Sequence, residues 1–168
     1  MCQKLSRLTK KKLMIKAEVL VANKNWKKHI KVPSYYINNK LKKIDKKLSI
    51  FKKNNFEFSI LLSGESEIKK LNNKFRKKNK TTDILSFPFY EKKTLNKMLK
   101  KAHTQIYLGD IIINLNKMIS KIKDKDFLFN FDKIWIHGLT HLLGHRHKSN
   151  HDFSIMTKLE NKLIKFSK

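Results

Sequence analysis

A single cysteine, Cys2, in 168 residues excludes an internal disulfide and any cluster of thiolate metal ligands. Nothing in the chain therefore asks for an oxidising compartment. No apolar run approaches the ~20 residues that a membrane helix needs. The opening MCQKLSRLTKKKLM is basic and has no apolar stretch of the kind that makes a secretory signal. The expected address is the cytoplasm, and no membrane partner is expected. Glycine and proline are also scarce, at 4 and 2 residues, so each marks a place where the backbone needs it. Acid is scarce against base: 13 Asp+Glu face 40 Lys+Arg, a formal charge of +27. A field of that sign repels basic partners and attracts polyanions, nucleic acid first among them. Lysine-rich composition beside much Ile, Asn and Phe is also what an AT-biased coding sequence produces. Arginine is rare, only Arg7, Arg76 and Arg146, which singles out each position that keeps it.

What is present is enough for one core. A hydrophobic fraction of 40% suits a folded globule, and the length suits one domain rather than two. Residues 1–14 read as a basic tail, with Met14 as an alternative start, and 15–168 as a single catalytic domain. Ile15 to Ala22 reads as a strand. Pro33-Ser34 opens a helix with Ile37, Leu41, Ile44, Leu48 and Phe51 on one face. Phe56, Phe58, Ile60 and Leu62 alternate along a strand with one buried face. Gly64 leads into a short helix with Ile68, Leu71 and Phe75 inward. Thr82 to Phe87 is a strand stopped by Pro88. Tyr90 to His103 shows no periodicity and reads as a mobile lysine-rich loop. Ile106 to Asn114 is a strand interrupted at Gly109-Asp110, which marks a bulge or a close backbone approach. Leu115, Met118, Ile119 and Ile122 mark a short helix, Phe127 to Leu143 a buried one. Phe153, Met156, Leu159 and Leu163 mark a final amphipathic helix. The order βαβαββα plus two helices gives an α+β class: a small mixed β-sheet packed by helices, with a metal site on a C-terminal helix.

The chemistry concentrates in His137-Gly-Leu-Thr-His141-Leu-Leu-Gly144-His145-Arg-His147. Residues four apart share a helix face, so His137 and His141 can present ring nitrogens to one ion. Gly144 stands where a helix can end in the left-handed conformation, and such a turn swings His147 back toward both rings. Three imidazoles with an open fourth position are the donor set of a catalytic zinc. His145 and His151 are nearby competitors as ligands. A divalent ion so held polarises a phosphoryl or carbonyl oxygen and makes water a better nucleophile near neutral pH. A lone histidine on an apolar face is ordinarily a core residue, but three around one glycine are not so explained.

The stretch HGLTHLLGHRH resembles the hallmark H-G-x-L-H-L-x-G-Y-D-H of the YbeY family, the rRNA maturation ribonucleases. Two more blocks agree in order: LNNKFRKKNKTTDILSFPF, with its aromatic-Arg pair before Thr-Asp-x-Leu-Ser-Phe-Pro, and LGDIIIN from Leu108. Met156 and Glu160 fit the family's closing helix, and the resemblance runs over residues 14 to 165. It implies one zinc per chain on His137, His141 and His147, and a functional, catalytic arginine at Arg76. It also implies an endoribonuclease that prefers single-stranded RNA and acts on ribosomal RNA, at the 16S 3′ end and in quality control of the small ribosomal subunit. This chain departs from the pattern at Thr140, where the family has Leu, and at His145-Arg146, where it has Tyr-Asp. The second change removes a carboxylate that could orient a ligand.

Two other readings compete. Zinc proteases share His-x-x-x-His, but place a Glu directly after the first histidine as general base. Gly138 occupies that position and cannot act as one. A non-catalytic RNA- or ribosome-binding protein with a structural zinc would need a fourth ligand, from His145, His151 or Asp152. Arg76 could also be a plain helix-end residue satisfying last-turn carbonyls, and Asp83 and Asp110 plain capping groups.

Overall fold

The computed structural model describes residues 15–101, 105–121 and 126–168; the basic tail, His103 and Ile122 lie outside them. Four strands form one sheet: β1 (Ile15–Val21), β2 (Asn55–Ser63), β3 (Ile84–Pro88) and β4 (Gln105–Asn114). Their order is β1-β2-β4-β3, with β1, β2 and β4 parallel and β3 antiparallel on the far edge. Around them run the helices α1 (Trp26–His29), α2 (Pro33–Lys47), α3 (Glu65–Arg76), α4 (Lys92–Leu99), α5 (Leu115–Lys121), α6 (Phe127–Leu142) and α7 (Asn150–Ser167). The α+β expectation holds. No helix among the described residues is long and apolar enough to cross a membrane.

The main core lies between one sheet face and α2, α6 and α7. It buries Phe56, Phe58, Ile60 and Leu62 of β2 against Ile37, Leu41, Trp135 and Leu163, among others. Among the described residues the opposite face carries α3, over a smaller cluster of Ile68, Leu85 and Ile112 with Leu61, Leu71 and Phe87. The edge strand β1 is covered by an amide: Asn38 Nδ2 donates to the Ala17 carbonyl at 2.9 Å and its Oδ1 accepts from the Ala17 N–H at 3.0 Å. Such pairing hides backbone groups that an exposed edge would offer to another chain.

Several expectations need correction. Residues 92–99 form α4 rather than a loop, with Leu95 buried. The long helix predicted to Phe51 ends at Lys47, and Phe51 reaches the core from a 3-10 turn over Ser49–Lys52. Phe75, predicted inward, is exposed, and so are Ile119 and Phe153, which mark their helices in the sequence. Periodicity locates a helix's apolar stripe but not how far its partner surface extends.

The predicted interruption at Gly109 is a bulge: register against β2 shifts between Glu57 and Ser59. Gly109 has φ +125, and a Cβ there would sit 2.1 Å from the Phe87 carbonyl oxygen and 2.8 Å from the Phe89 nitrogen. Both are backbone atoms of the β3 end, which cannot step aside cheaply. Gly109→Ala is therefore expected to lower the unfolding free energy by roughly 2–5 kcal/mol, combining strained backbone and overpacking. An unshifted urea midpoint would contradict that.

Candidate metal centre

Helix α6 presents the histidines because its own sequence lets it lie close on the sheet and stop abruptly. Gly138 permits the approach: a Cβ there would meet Ile111 at 2.9 Å and Ile84 at 3.0 Å. The position directly after His137 therefore points into the sheet, so a glutamate there would be driven into the core rather than toward the histidines. Gly144, at φ +84, ends the helix. Its N–H bonds the His141 carbonyl at 2.9 Å, and the His145 N–H bonds the Thr140 carbonyl at 3.1 Å. These two bonds are the Schellman pattern that the sequence anticipated at this glycine. The start of α6 is anchored by Asp132, which accepts from Tyr36 Oη (3.1 Å) and Trp135 Nε1 (3.0 Å) and pairs with Lys40 (2.7 Å).

Donor atoms of His137, His141 and His147 all lie within 4.8 Å of one another. His147 reaches the pair from beyond the turn, its ring centroid 5.1 Å from that of His141 and 5.8 Å from that of His137. The ring contacts of the first two histidines determine which nitrogens are available. His141 Nδ1 lies 2.9 Å from the His145 carbonyl oxygen, which can only accept, so Nδ1 carries the proton. His137 Nδ1 lies 2.8 Å from Glu160 Oε1, another acceptor. Both Nε2 atoms are then lone-pair donors, and they face each other at 3.1 Å. Two lone pairs so placed repel unless a cation lies between or beside them, so the residues fit a shared divalent ion. Burial, partly opposed by the His145 carbonyl and reinforced by His137 and His147, lowers the His141 pKa. That favours the neutral form a ligand must have.

Glu160, which the sequence marks only as fitting the family's closing helix, is the carboxylate that contacts the His137 ring. It supplies from α7 the orienting carboxylate that Arg146 cannot. Its one signal is that it is the only acid after Asp152 in a lysine-studded helix. Thr140, the other departure, is buried; its hydroxyl donates to the His137 carbonyl at 2.7 Å and lies 3.4 Å from Glu160 Oε1. The competitors are placed elsewhere. His145 contributes its carbonyl, its ring pKa lowered by burial and by Lys92. Ser149 Oγ caps α7 by accepting from the Asp152 N–H at 3.1 Å and donates to the Asp152 carboxylate at 2.9 Å, and His151 is exposed. Among the described residues the donor group is these three histidines.

Arg76 enters from the other face of the sheet. It is the last residue of α3, followed by Lys77 in the left-handed conformation at φ 57. Its Nη2 donates across the free edge of β3 to the Ser86 carbonyl, a long bond of 3.4 Å. It does not cap its own helix, as the plain reading had it. A cleft of about 310 Å³ is lined by Arg76, Ser86, His141, His145, Arg146 and His147, among others. Arg76 and two of the histidines thus line one cleft. The Asp83 carboxylate accepts from Thr82 Oγ1 at 3.2 Å, and Asp110 from Tyr107 Oη at 2.7 Å.

A family model described as endoribonuclease YbeY matches residues 20–168. An endoribonuclease YbeY of Pelagibacter ubique is 43% identical over 157 residues, covering 92% of this chain and 97% of its own. One of Thermodesulfovibrio yellowstonii is 37% identical, covering 83% and 92%. The solution structure of TM1509 from Thermotoga maritima aligns over 92% of this chain and 89% of its own, with a TM-score of 0.52 and 23% identity, a likeness of fold. The histidine helix, the arginine at the sheet edge and these matches together place the chain in the YbeY endoribonuclease family.

Proposed function

We propose that this protein is a cytoplasmic, zinc-dependent endoribonuclease that cuts single-stranded RNA, with 16S ribosomal RNA of the small subunit as its substrate. The observation that carries the reading is the pair of opposed Nε2 atoms, 3.1 Å apart, beside a cleft that Arg76 shares. His137, His141 and His147 would hold one zinc, which supplies Lewis acidity when bound. Glu160 and the His145 carbonyl fix the two rings by their Nδ1 protons, so no side chain needs to reorganise during reaction. Arg76 offers guanidinium N–H groups to the non-bridging oxygens of a phosphodiester, and a charge of +27 steers the polyanion in.

The rival readings lose support from the same geometry. Peptide hydrolysis lacks its usual base, and Gly138 has no room for one. A purely structural zinc lacks a fourth protein donor among the described residues.

The test is cleavage of an end-labelled single-stranded RNA and its duplex, with and without a chelator. Cutting of the single strand that the chelator stops is the expected result. Cutting that survives complete metal removal, or no cutting at all, would overturn the reading. Binding of the same RNA should weaken steeply across a salt series, because lysines neutralise phosphates without regard to sequence. A flat response would mean that the positive surface never meets RNA.

A further inference from the structure

Phe75 is 57% exposed and directly precedes Arg76, which lines the cleft. Its ring centroid lies 5.2 Å from that of Phe87, tilted at 60°. The Arg76 guanidinium carbon lies 6.0 Å from the Phe87 centroid, so one arginine borders both the aromatic pair and the histidine cleft. Behind the pair is an open groove of about 400 Å³ on the α3 face of the sheet, lined by Leu20, Leu61, Leu71, Phe75, Phe87 and Asp110, among others.

We propose that Phe75 and Phe87 form a stacking platform for an unpaired base next to the phosphodiester held at Arg76, and so determine the single-strand preference. This rests on the endoribonuclease reading. Charge complementarity and continuity with the cleft argue for RNA as the occupant. Residues 68–82 hold six lysines, Arg76 and no acid, and Lys74 Nζ lies 5.3 Å from the Phe75 centroid. The groove itself is apolar with a carboxylate at its rim, a poor seat for phosphate. An aromatic base is different: it stacks on a ring and can donate an N–H to an acid such as Asp110. The phosphate then belongs on the Arg76 side and the base on the phenylalanine side, with the strand bent over the edge of β3. A base held in a duplex is stacked and paired already, so it cannot reach the platform. Stacking of this kind tolerates any base, because every base has a π-face.

The experiment compares the wild type with Phe75→Ala and Phe75→Trp. Phe75 is exposed, so the alanine variant should keep the wild-type melting midpoint. Binding is measured with oligoadenylate and with an abasic ribose-phosphate oligomer of the same length. The scission site is then mapped on a defined RNA, and single abasic nucleotides are placed on either side of it. Phe75→Ala should lose about tenfold in oligoadenylate affinity and in kcat/KM on RNA. It should lose nothing on the abasic oligomer or at the matching abasic position, and Phe75→Trp should restore both. An equal loss with and without the base would make Phe75 structural and overturn the proposal. So would unchanged oligoadenylate affinity, the result expected if a second copy of the chain covers the groove and the mass rises with concentration. If the wild type cuts no RNA, the endoribonuclease reading fails, while the binding comparison still decides the platform.

Discussion

Replacing His137, His141 and His147 together by alanine is expected to abolish metal binding and RNA cleavage, while His145→Ala and His151→Ala keep both. The reason lies in where each donor points. Three ring nitrogens converge within 4.8 Å, whereas His145 serves through its carbonyl and His151 is exposed. Metal analysis after mild purification should give one zinc per chain for the wild type. Imidazole donors also suit copper and nickel, so competition among the ions belongs in the measurement. Glu160→Gln retains a hydrogen-bond acceptor but loses the charge that raises the basicity of His137. The expected cost is about tenfold in zinc affinity, at the low end for partners of metal ligands. Stoichiometric zinc in the triple-alanine variant would sink the assignment. An unaltered zinc affinity in Glu160→Gln would show that the carboxylate contributes only to packing.

The second large effect is expected at Arg76. Arg76→Lys keeps the charge but not the planar fork, which can give two parallel N–H bonds to one phosphate. Negative charge grows on the phosphoryl oxygens during displacement, and a guanidinium lining the same cleft as His141 and His147 can offset it. Loss of one preorganised donor costs about 2.7–4 kcal/mol of transition-state stabilisation, roughly 10²–10³ in rate. Single-turnover cleavage at matched zinc occupancy measures this directly. Fold, zinc content and bulk RNA affinity should stay near the wild-type values, since the lysines remain. Equal rates would return Arg76 to a supporting contact with the Ser86 carbonyl.

The metal helix was legible in the sequence because its geometry is local. His137 and His141 are one turn apart, and Gly144 ends the helix by a rule that acts within six residues. The strands Phe56–Leu62 and Ile106–Asn114 were legible for the same reason, as alternation and a lone glycine carry their own meaning. Helix α4 was missed because it is only eight residues long, so Leu95, Met98 and Leu99 make a single turn of apolar stripe, too short to stand out among the lysines until it packs on the core. Glu160 could not be assigned its role, since its bond to His137 spans 23 residues and depends on how α7 lies on α6. Arg76 was placed by family likeness alone. Its approach to the histidines depends on β3 being an antiparallel edge strand, with a free carbonyl at Ser86 to hold the guanidinium. Sheet order is a property of the whole chain and leaves no local mark.

Glu160 belongs to α7, while the ring it orients belongs to α6, so ligand affinity and helix docking are two readings of one equilibrium. Each time α7 lifts from α6, His137 loses the partner that fixes its tautomer, and its Nε2 no longer holds its aim. By reciprocity, an ion that prefers the oriented ring must make that opening rarer, by the same factor that docking adds to its affinity. Amide hydrogen exchange along Asn150–Ser167 should therefore slow when zinc is added, even at residues far from the ion. In Glu160→Gln that protection should shrink in step with the lost affinity. The last helix is thus expected to report metal loading.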